Sequence, residues 1–163
     1  MATNPAPVVR VGVAAIIKDD DGRMVMGVRK GSHGSGTWQF PGGHLDVGES
    51  WFECAERETL EETGLQVKAE KFVALTNDVF DPEKKHYITI FIVCKRVDDT
   101  QEPVIMEPEK CESWSWKTWS DVRSMMSAAA AEGKEEEKEK GQQKFFLPIV
   151  NLLRDHPDIE SLI

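Results

Sequence analysis

The sequence has few cysteines, no long apolar run and no excess of positive charge. Its three cysteines, Cys54, Cys94 and Cys111, lack the spacing of a metal site, which is typical of reduced thiols and predicts a cytoplasmic protein. No apolar stretch approaches the roughly 20 residues that a membrane span requires. The first residues lack the basic and apolar regions of a signal peptide. We therefore expect no association with a membrane.

The composition is typical of one globular domain with an acidic surface. The chain has 163 residues, of which 40% are hydrophobic and 30% charged, so it can form a core of its own. Its formal net charge is −9. Polymeric nucleic acid is bound mainly through Lys and Arg, and so we expect no nucleic-acid polymer as a partner. A small anionic ligand is compatible with this charge, because a bound metal ion can invert the local field.

Carboxylates dominate the segment from Gly42 to Leu65. Like charges four residues apart on a helix destabilise it, and a divalent cation bound among them removes that repulsion. Hard cations such as Mg²⁺ take oxygen ligands and often share them with substrate phosphates. The two adjacent glycines, Gly42 and Gly43, permit a positive φ and a close approach of the backbone to a ligand. The spaced residues of this pattern are Gly43, Glu49, Arg57, Glu58, Thr59, Glu61, Glu62, Gly64 and Leu65.

The helix inside this segment has recognisable ends. Ser50 followed by Glu53 forms a capping box, so we expect the helix to begin at Ser50. Gly64 is typical of the position just beyond a helix C-terminus, so the helix should end near Thr63. The sequence therefore predicts a capped helix of known length in the middle of the acidic pattern.

The helical period predicts an apolar face. At 100° per residue, Phe52, Ala55 and Thr59 share one face, with Trp51 and Thr63 at its edges. We expect this face to pack on a sheet. An ordinary solvated amphipathic helix is the simpler interpretation of the helix taken alone, but it does not explain the spacing of the glycines and acids around it.

The carboxylates follow the edge of that apolar face. Glu58 and Glu62 are four residues apart and stand side by side, with Glu61 close to them. Arg57 lies four residues before Glu61 and can pair with it. This arrangement predicts that the carboxylates border a cleft instead of pointing into open solvent.

Runs of β-branched and alternating residues predict strands on both sides of the helix. Strands, a helix, further strands and a C-terminal helix indicate the α/β class, as an α/β/α sandwich with a mixed β-sheet. We expect a hairpin of strands at 8–18 and 24–28, a short strand at 37–40, a strand at 65–75, a loop at 76–85, a central buried strand at 86–96, a strand at 113–117, a short helix from 119 capped by Ser120, and a last helix with Pro148 in its first turn.

Two segments are less regular. Residues 125–143 are highly charged and of low complexity, and we interpret them as an insertion without core residues in a single domain that spans residues 1–163. The loop at 29–36 contains three glycines and two cations. It is either a surface connector or a loop that contacts phosphates or a base.

The pattern between Gly42 and Leu65 resembles the Nudix box, the signature of hydrolases that cleave nucleoside diphosphates linked to another group. The likeness covers roughly residues 8–119 and a patch at 145–152, and it implies the same α/β/α sandwich. It departs from the family at Thr59, where an aliphatic residue is usual. The segments GTWQFPGGHLDVGES, HYITIF and MEPEKCESWSW are similar to the small cytosolic MutT-type branch that sanitises nucleotide pools, especially its plant members and the animal hydrolase of thiopurine nucleotides.

The resemblance implies a metal site with Mg²⁺ as the cofactor and Mn²⁺ as an alternative. Arg57 would orient the glutamates by ion pairing, and Glu49 would lie behind them. The general base stays open between Glu61 and Glu58, so Glu58, Glu61 and Arg57 are the candidate catalytic group. The implied metal ligands are Glu58, Glu62, Glu61 and the carbonyl of Gly43, with Glu107 and Glu109 as outlying acids.

The resemblance also implies a nucleotide pocket beside the metal. Gln39 and Phe40 would form its floor, while Arg29 and His44 would approach the base or the phosphates. Core packing is the alternative for the apolar members of this set. The full set of candidate substrate-binding residues is Arg29, Gln39, Phe40, Gly42, Gly43, His44, Thr89, Phe146 and Leu147.

A hydrolase of diphosphate anhydrides is the activity that the resemblance implies. We expect Mg-dependent conversion of nucleoside triphosphates to monophosphates and pyrophosphate, with oxidised or modified purine nucleotides such as 8-oxo-dGTP among the candidates. Dinucleotides of the NADH type and prenyl diphosphates are alternative substrates. A non-catalytic module that binds a nucleotide or a protein is the alternative from another class; degenerate members usually lose box glutamates, which are present here. The resemblance further implies a homodimer.

Overall fold

The computed structural model of the protein describes residues 8–31, 33–131 and 145–163. A seven-stranded mixed sheet carries helices on both faces. No helix in the described part is long and apolar enough to cross a membrane. The elements are β1 (Val9–Lys18), β2 (Met24–Arg29), β3 (Trp38–Gln39), β4 (Gly42–His44), α1 (Trp51–Thr63), β5 (Val67–Phe80), β6 (Lys85–Arg96), β7 (Cys111–Lys117), α2 (Trp119–Ala131), α3 (Leu147–Asp155) and a 3₁₀ helix (Ile159–Leu162).

The sheet has the strand order β3-β2-β1-β6-β5, with β4 paired to β1 and β7 paired to β2. Strands β1 and β6 are parallel and place Gly12 beside Thr89, while β2, β4 and β5 pair antiparallel with their neighbours. The predicted hairpin is confirmed, with Lys18 opposite Met24. Beyond this point β2 pairs with β7, and the first half of β1 pairs with β4. The start of the acidic segment is thereby attached to the sheet.

Alternate residues of β1 contribute to two separate cores. Ile17 packs in one core with Ala55 of α1. Ile16 packs in the other, with Val122 of α2 and Leu152 of α3. Because successive side chains of a strand point to opposite faces, the two cores lie on the two sides of the sheet. The predicted α/β/α sandwich is confirmed.

Strand β6 lies between β1 and β5, and residues 89–94 are buried in succession. This confirms the central strand predicted at 86–96. All three cysteines are buried free thiols, in agreement with the expected reduced state. The helix α3 is also confirmed, with Pro148 in its first turn.

The predicted end of β5 is wrong. Residues 76–80, expected in a loop, continue the strand and pair antiparallel with β6, so the connecting turn is reduced to residues 81–84. The strand was not predicted here because several of its side chains are polar. Thr76 and Asp78 are nevertheless 1% and 0% exposed and face the interior. Their hydrogen bonds to other buried groups allow this burial.

The capping box of α1 is confirmed. The Ser50 hydroxyl accepts a hydrogen bond from the Glu53 backbone N–H at 3.2 Å, and the Glu53 carboxylate accepts one from the Ser50 N–H at 2.9 Å. At the other end Gly64 has a φ of +72° and donates its N–H to the Leu60 carbonyl. Two backbone N–H groups and one carbonyl at the ends of the helix thus gain hydrogen-bond partners from residues close to them in sequence.

The predicted core face of α1 is correct for Ala55 and Thr59, which are fully buried, but wrong for Phe52, which is 38% exposed. Cys54 takes that place, because α1 crosses β4 there and the Cys54 thiol donates to the His44 carbonyl at 3.4 Å. The buried side of the helix is therefore rotated from the predicted one, toward the strand that carries the two glycines.

The start of α2 differs from the prediction. Thr118 caps it instead of Ser120: its hydroxyl accepts from the Asp121 N–H at 3.0 Å, and the Asp121 carboxylate accepts from the Thr118 N–H at 2.8 Å. Met125 and Met126 pack against the second core, so the prediction that residues 125–143 contain no core residues is wrong at these two positions. Residues 127–131 continue α2, and residues 132–143 of the predicted insertion lie outside the described residues.

Candidate active site

A cavity of about 330 Å³ opens where β1, β4 and β6 meet α1 and the start of α3. Its size is in the range of small-molecule sites. Arg57, Glu61 and Leu147 are not among its lining residues; Pro148 and Ile149 line it at the start of α3. The predicted site residues that do line it are Arg29, Gln39, Phe40, Gly42, Gly43, His44, Glu58, Glu62, Thr89 and Phe146.

The two glycines of β4 allow the helix to approach the sheet. Gly42 has a φ of +156°, and a Cβ built on it would overlap the Val13 carbonyl. A Cβ built on Gly43 would overlap the carboxyl group of Glu58. The Glu58 carboxylate therefore occupies space that is available only because residue 43 has no side chain.

Glu62 is the most buried glutamate of α1. Its residue is 8% exposed, and its carboxylate accepts a hydrogen bond from the Gly42 N–H at 3.0 Å. Burial raises the pKa of Glu62 to about 7, and the negative charges of Glu58 and Glu107 add to this effect. A carboxylate held in such a place would be stabilised by a positively charged ligand.

Glu58 has two opposing influences on its ionisation. Burial raises the pKa of Glu58, while the hydrogen bond donated by Arg57 Nη1 at 2.8 Å opposes that rise. Lys110 also lines the cavity and pairs with Glu107 at 2.7 Å. The cavity therefore combines buried negative charge with a cation that could contact a phosphate.

Arg57 joins the acidic residues behind the cavity. Its Nε and Nη2 donate to the two oxygens of Glu49 at 2.7 and 2.9 Å, a bidentate pair. Its Nη1 donates to Glu58 at 2.8 Å and to Glu61 at 3.3 Å. The predicted pairing of Arg57 with Glu61 is confirmed, and the Glu49 pair lowers the pKa of that carboxyl to about 2. Arg57 thereby restrains the position of Glu58.

Within the described ranges, no three His, Cys, Asp or Glu side chains are close enough together to bind one metal ion. Glu61 is exposed and does not line the cavity. Glu58 and Glu62 both line the cavity with Gly43. Their oxygens are the kind of ligand that Mg²⁺ takes from proteins, usually one or two carboxylates completed by substrate phosphates and water. A site of two carboxylates fits this chemistry.

Aromatic side chains line another part of the cavity. The rings of Phe80 and Phe146 lie 5.4 Å apart, and the His33 ring contacts both at 4.7 and 5.3 Å. Tyr87 packs on Phe80 at 5.9 Å and is within 3.1 Å of His44 through its hydroxyl. These rings offer flat apolar surface on which a planar ligand could stack.

Arg29 connects the aromatic and polar parts of the wall. Its guanidinium lies 4.1 Å from the centre of the Phe146 ring and donates Nε–H to the His33 carbonyl at 3.0 Å. Its Nη1 donates to the Gln39 side-chain oxygen. Burial lowers the pKa of Arg29. Lys30 and His33, in the loop that follows Arg29, also line the cavity, so this loop is more than a surface connector.

Sequence reasoning missed several lining residues, among them Tyr87, Phe80 and Lys110. Tyr87 and Thr89 line the cavity with Phe91, and this spacing of two residues on one strand face is a signal that the sequence contains. Phe80 could not be found, because the strand that carries it was expected to end five residues earlier. Lys110 follows Glu107 and Glu109 in the MEPEK segment, and only these two acids were predicted to reach the site.

Comparison with known proteins assigns the family. The NUDIX domain matches residues 8–140, and the chain belongs to that family. It is 30% identical over 118 residues to the Xenopus laevis protein named Nucleoside diphosphate-linked moiety X motif 6, covering 71% of this chain and 52% of that protein. A Danio rerio protein named oxidized purine nucleoside triphosphate hydrolase is 44% identical over 46 residues, 28% of this chain and 30% of that protein.

A solved structure gives the same result for the fold. The MutT NUDIX hydrolase from Burkholderia pseudomallei is 27% identical, with a TM-score of 0.61 over 70% of this chain and 86% of that chain. The chain spans about half the length of the first curated relatives that it matches, 52% and 46%.

Proposed function

We propose that this protein is a divalent-metal-dependent hydrolase that converts nucleoside triphosphates to monophosphates and pyrophosphate. One observation carries the proposal: the same cavity is lined by two carboxylates, the buried Glu62 and the partly buried Glu58, and by an aromatic group that includes Phe80 and Phe146. A nucleotide has a phosphate chain that needs a metal and a planar base that stacks on rings. The cavity offers both kinds of surface.

The residues present fit a metal ion, because two carboxylates that line one cavity are a ligand set that Mg²⁺ takes. Nudix hydrolases generally use a divalent metal, typically Mg²⁺. Glu58 and Glu62 would hold it, with the Gly43 carbonyl as the proposed backbone ligand and Mn²⁺ as an alternative ion. When bound, the ion supplies charge neutralisation of the phosphates and acidifies a bound water. Lys110 and Arg29 would bind the remaining phosphate charge as cations on the cavity wall.

The chain's own residues can handle the proton. Attack on phosphorus requires a base within hydrogen-bond reach of the attacking water. Glu58 lines the cavity and has its pKa raised by burial, whereas Glu61 is exposed and is not among the lining residues. We therefore favour Glu58 over Glu61 as the proton acceptor, with Arg57 orienting it. Glu61 would act as a further ligand only after it leaves Arg57.

The comparisons support the reaction class. Relatives are named for nucleoside diphosphate-linked and nucleoside triphosphate substrates. We include oxidised purine nucleotides such as 8-oxo-dGTP among the proposed substrates, because the relative of that name shares 44% identity over 46 residues with this chain. Dinucleotides of the NADH type and prenyl diphosphates are the competing substrates.

The experiment is a substrate panel with Mg²⁺ and product identification by mass spectrometry. It contains unmodified, 8-oxo and methylated nucleoside triphosphates, NADH and a prenyl diphosphate. Release of pyrophosphate and a monophosphate from a triphosphate supports the proposal. If none of the triphosphates is hydrolysed, the proposal is wrong, and nucleotide binding without turnover would indicate a non-catalytic module.

A pair of variants tests the site itself. Glu58→Gln keeps the shape of the side chain and removes its charge, so turnover should fall by about 100-fold or more, the usual size of a lost base or metal-ligand contribution. Glu70→Gln removes an exposed carboxylate from β5 and serves as the matched control. Equal turnover in both variants would remove Glu58 from the mechanism.

The resemblance also supports two wider proposals, a cytoplasmic location and a homodimer. Sedimentation velocity at several protein concentrations measures the oligomeric state directly. A single species with the 18.4 kDa mass of one chain would contradict the homodimer.

A further inference from the structure

A buried acid lies behind the cavity wall and has no part in the proposed hydrolysis. Asp78 of β5 is 0% exposed. Its Oδ2 accepts hydrogen bonds from the Thr76 hydroxyl at 2.9 Å and the Thr89 hydroxyl at 2.6 Å, and its Oδ1 accepts one from Asn151 Nδ2 at 2.7 Å. Three uncharged donors, one each from β5, β6 and α3, therefore bind the same carboxylate. Such a group needs these donors, because burial without them is costly.

The arrangement decides which way the Thr89 hydroxyl points. A hydroxyl has one proton and two lone pairs, and a carboxylate accepts hydrogen bonds without donating. Thr89 gives its proton to Asp78, and Thr89 also lines the cavity. Toward the cavity, its oxygen can therefore present lone pairs and no proton. The wall at Thr89 is a hydrogen-bond acceptor.

The oxygen of Thr89 is reachable because its neighbour on β1 has no side chain. Gly12 lies beside Thr89 in the parallel register of β1 and β6. A Cβ built on Gly12 would lie 3.8 Å from Thr89 Oγ1, in ordinary contact. The space next to that oxygen is therefore open to a ligand atom, and Gly12 itself lines the cavity.

We propose that Asp78 is a positioning residue that sets the substrate preference: through Thr89 it presents a hydrogen-bond acceptor to the cavity, and this acceptor selects nucleobases that place an N–H against it. The inference rests on the proposed nucleotide substrate and adds which base edge is recognised. A site built to accept an N–H discriminates strongly against a base that lacks it, since a buried partner is then left unpaired.

Asn151 determines which way the side-chain amide would be oriented in the Asp78→Asn variant. Its nitrogen donates both to Asp78 Oδ1 and to the Asn77 carbonyl at 3.3 Å, which holds the nitrogen on that side. In the Asp78→Asn variant the carboxamide oxygen should therefore face Asn151. The carboxamide nitrogen then faces Thr89 and donates to it, so the Thr89 proton turns toward the cavity.

Thr76 supplies the matched control. It donates to the same Oδ2 atom as Thr89 and is 1% exposed, but it does not line the cavity. Thr76→Val and Thr89→Val each remove one donor from Asp78 and keep the shape of the side chain. Both side chains are buried, and the two variants differ in whether the cavity wall changes. Thr89→Ser keeps the hydroxyl and tests rescue.

The experiment measures kcat and KM for the triphosphates of purine riboside, adenosine, inosine and guanosine, which differ little in size and present N–H groups at different positions. Calorimetry measures binding of the same four nucleotides. For the wild-type protein we expect one or more members to be preferred by roughly five- to thirtyfold, the effect of one lost hydrogen bond. Asp78→Asn and Thr89→Val should remove or invert that ratio, while Thr76→Val and Thr89→Ser should keep it.

Other outcomes overturn the inference in distinguishable ways. It is wrong if Asp78→Asn keeps the wild-type ratios, or if Thr76→Val changes them as much as Thr89→Val. If Asp78→Asn does not fold, the comparison of the two valine variants decides. If the wild-type protein binds these nucleotides and hydrolyses none, the proposed function fails, while the binding ratios still test Asp78.

Discussion

The Glu58 carboxylate lies against the backbone of Gly43, in the space that a side chain at residue 43 would fill. These two residues are 15 positions apart in the sequence, on α1 and β4. The contact places a helix carboxylate at the cavity wall beside a strand whose own backbone can bind a ligand. It also makes the position of Glu58 sensitive to a single methyl group.

We expect Gly43→Ala to lower kcat by about 100-fold, because a displacement of roughly 1 Å in a catalytic group can have that effect. The added Cβ would overlap the Glu58 carboxyl group, which must move. The measurement is a double-mutant cycle with Glu58→Ala. Gly43→Ala should have little further effect when Glu58 is already truncated, since no carboxylate is left to displace. Additive losses would show that Gly43→Ala acts elsewhere.

Arg57→Lys should reduce kcat by about tenfold or more with a smaller change in KM. A lysine cannot make the bidentate pair that Arg57 makes with Glu49 while also donating to Glu58, so Glu58 loses its restraint. Steady-state kinetics measures the effect. Arg154→Lys is the control, because Arg154 makes a similar two-oxygen pair with Asp155 at an exposed site.

Glu62→Gln should stabilise the protein at high pH while abolishing most activity. The pKa of Glu62 is about 7 in the folded protein and has a reference value of 4.5. Between pH 4.5 and about 7, Glu62 is therefore protonated more fully in the folded state than in the unfolded state. Its contribution makes the free energy of unfolding decrease as the pH rises through this range. The glutamine removes the buried charge and keeps an acceptor for the Gly42 N–H.

We expect a gain of about 1–3 kcal/mol in the free energy of unfolding for Glu62→Gln at pH 8 and almost none at pH 4. Urea unfolding with a chelator present measures it without bound metal. Glu70→Gln should show no such pH dependence. If Glu62→Gln changes the free energy of unfolding equally at both pH values, burial does not destabilise the charged form of Glu62.

Phe146→Ala should raise KM for nucleotides by roughly tenfold, while Leu147→Ala should leave KM nearly unchanged. Phe146 lines the cavity and contacts Phe80, His33 and Arg29, whereas its neighbour Leu147 does not line it. The expected size follows from a lost stacking contact of about 1–2 kcal/mol. Competitive displacement of a fluorescent nucleotide checks the same ratio without turnover. Equal effects of the two variants would place the base elsewhere.

Local sequence information predicted the elements whose stabilising contacts are also local. The ends of α1 follow from Ser50, Glu53 and Gly64, whose hydrogen bonds reach three or four residues along the chain. The buried run of β6 was predicted from a local series of apolar residues, although its parallel partner β1 lies far away in the sequence. The pairing of Arg57 with Glu61, one helical turn apart, belongs to the same class.

Contacts between distant residues decided the rest. Whether Phe52 or Cys54 is buried depends on where α1 crosses β4, and this crossing is set by two glycines that precede the helix. The burial of Asp78 required donors from β6 and α3, so the polar residues around it were predicted as a loop. A residue's own type and spacing carry no information about such partners.

The sequence by itself determined the family, the capped helix and the order of its carboxylates, because these depend on residue type and on spacing within one helix. Only the tertiary structure decided which carboxylates reach the cavity: Glu58 and Glu62 line it, and Glu61 is turned to Arg57. It also decided that Thr89 meets the cavity with its proton directed to Asp78. The physical reason is that burial and hydrogen-bond direction are properties of the packed chain, in which residues far apart in sequence share one site.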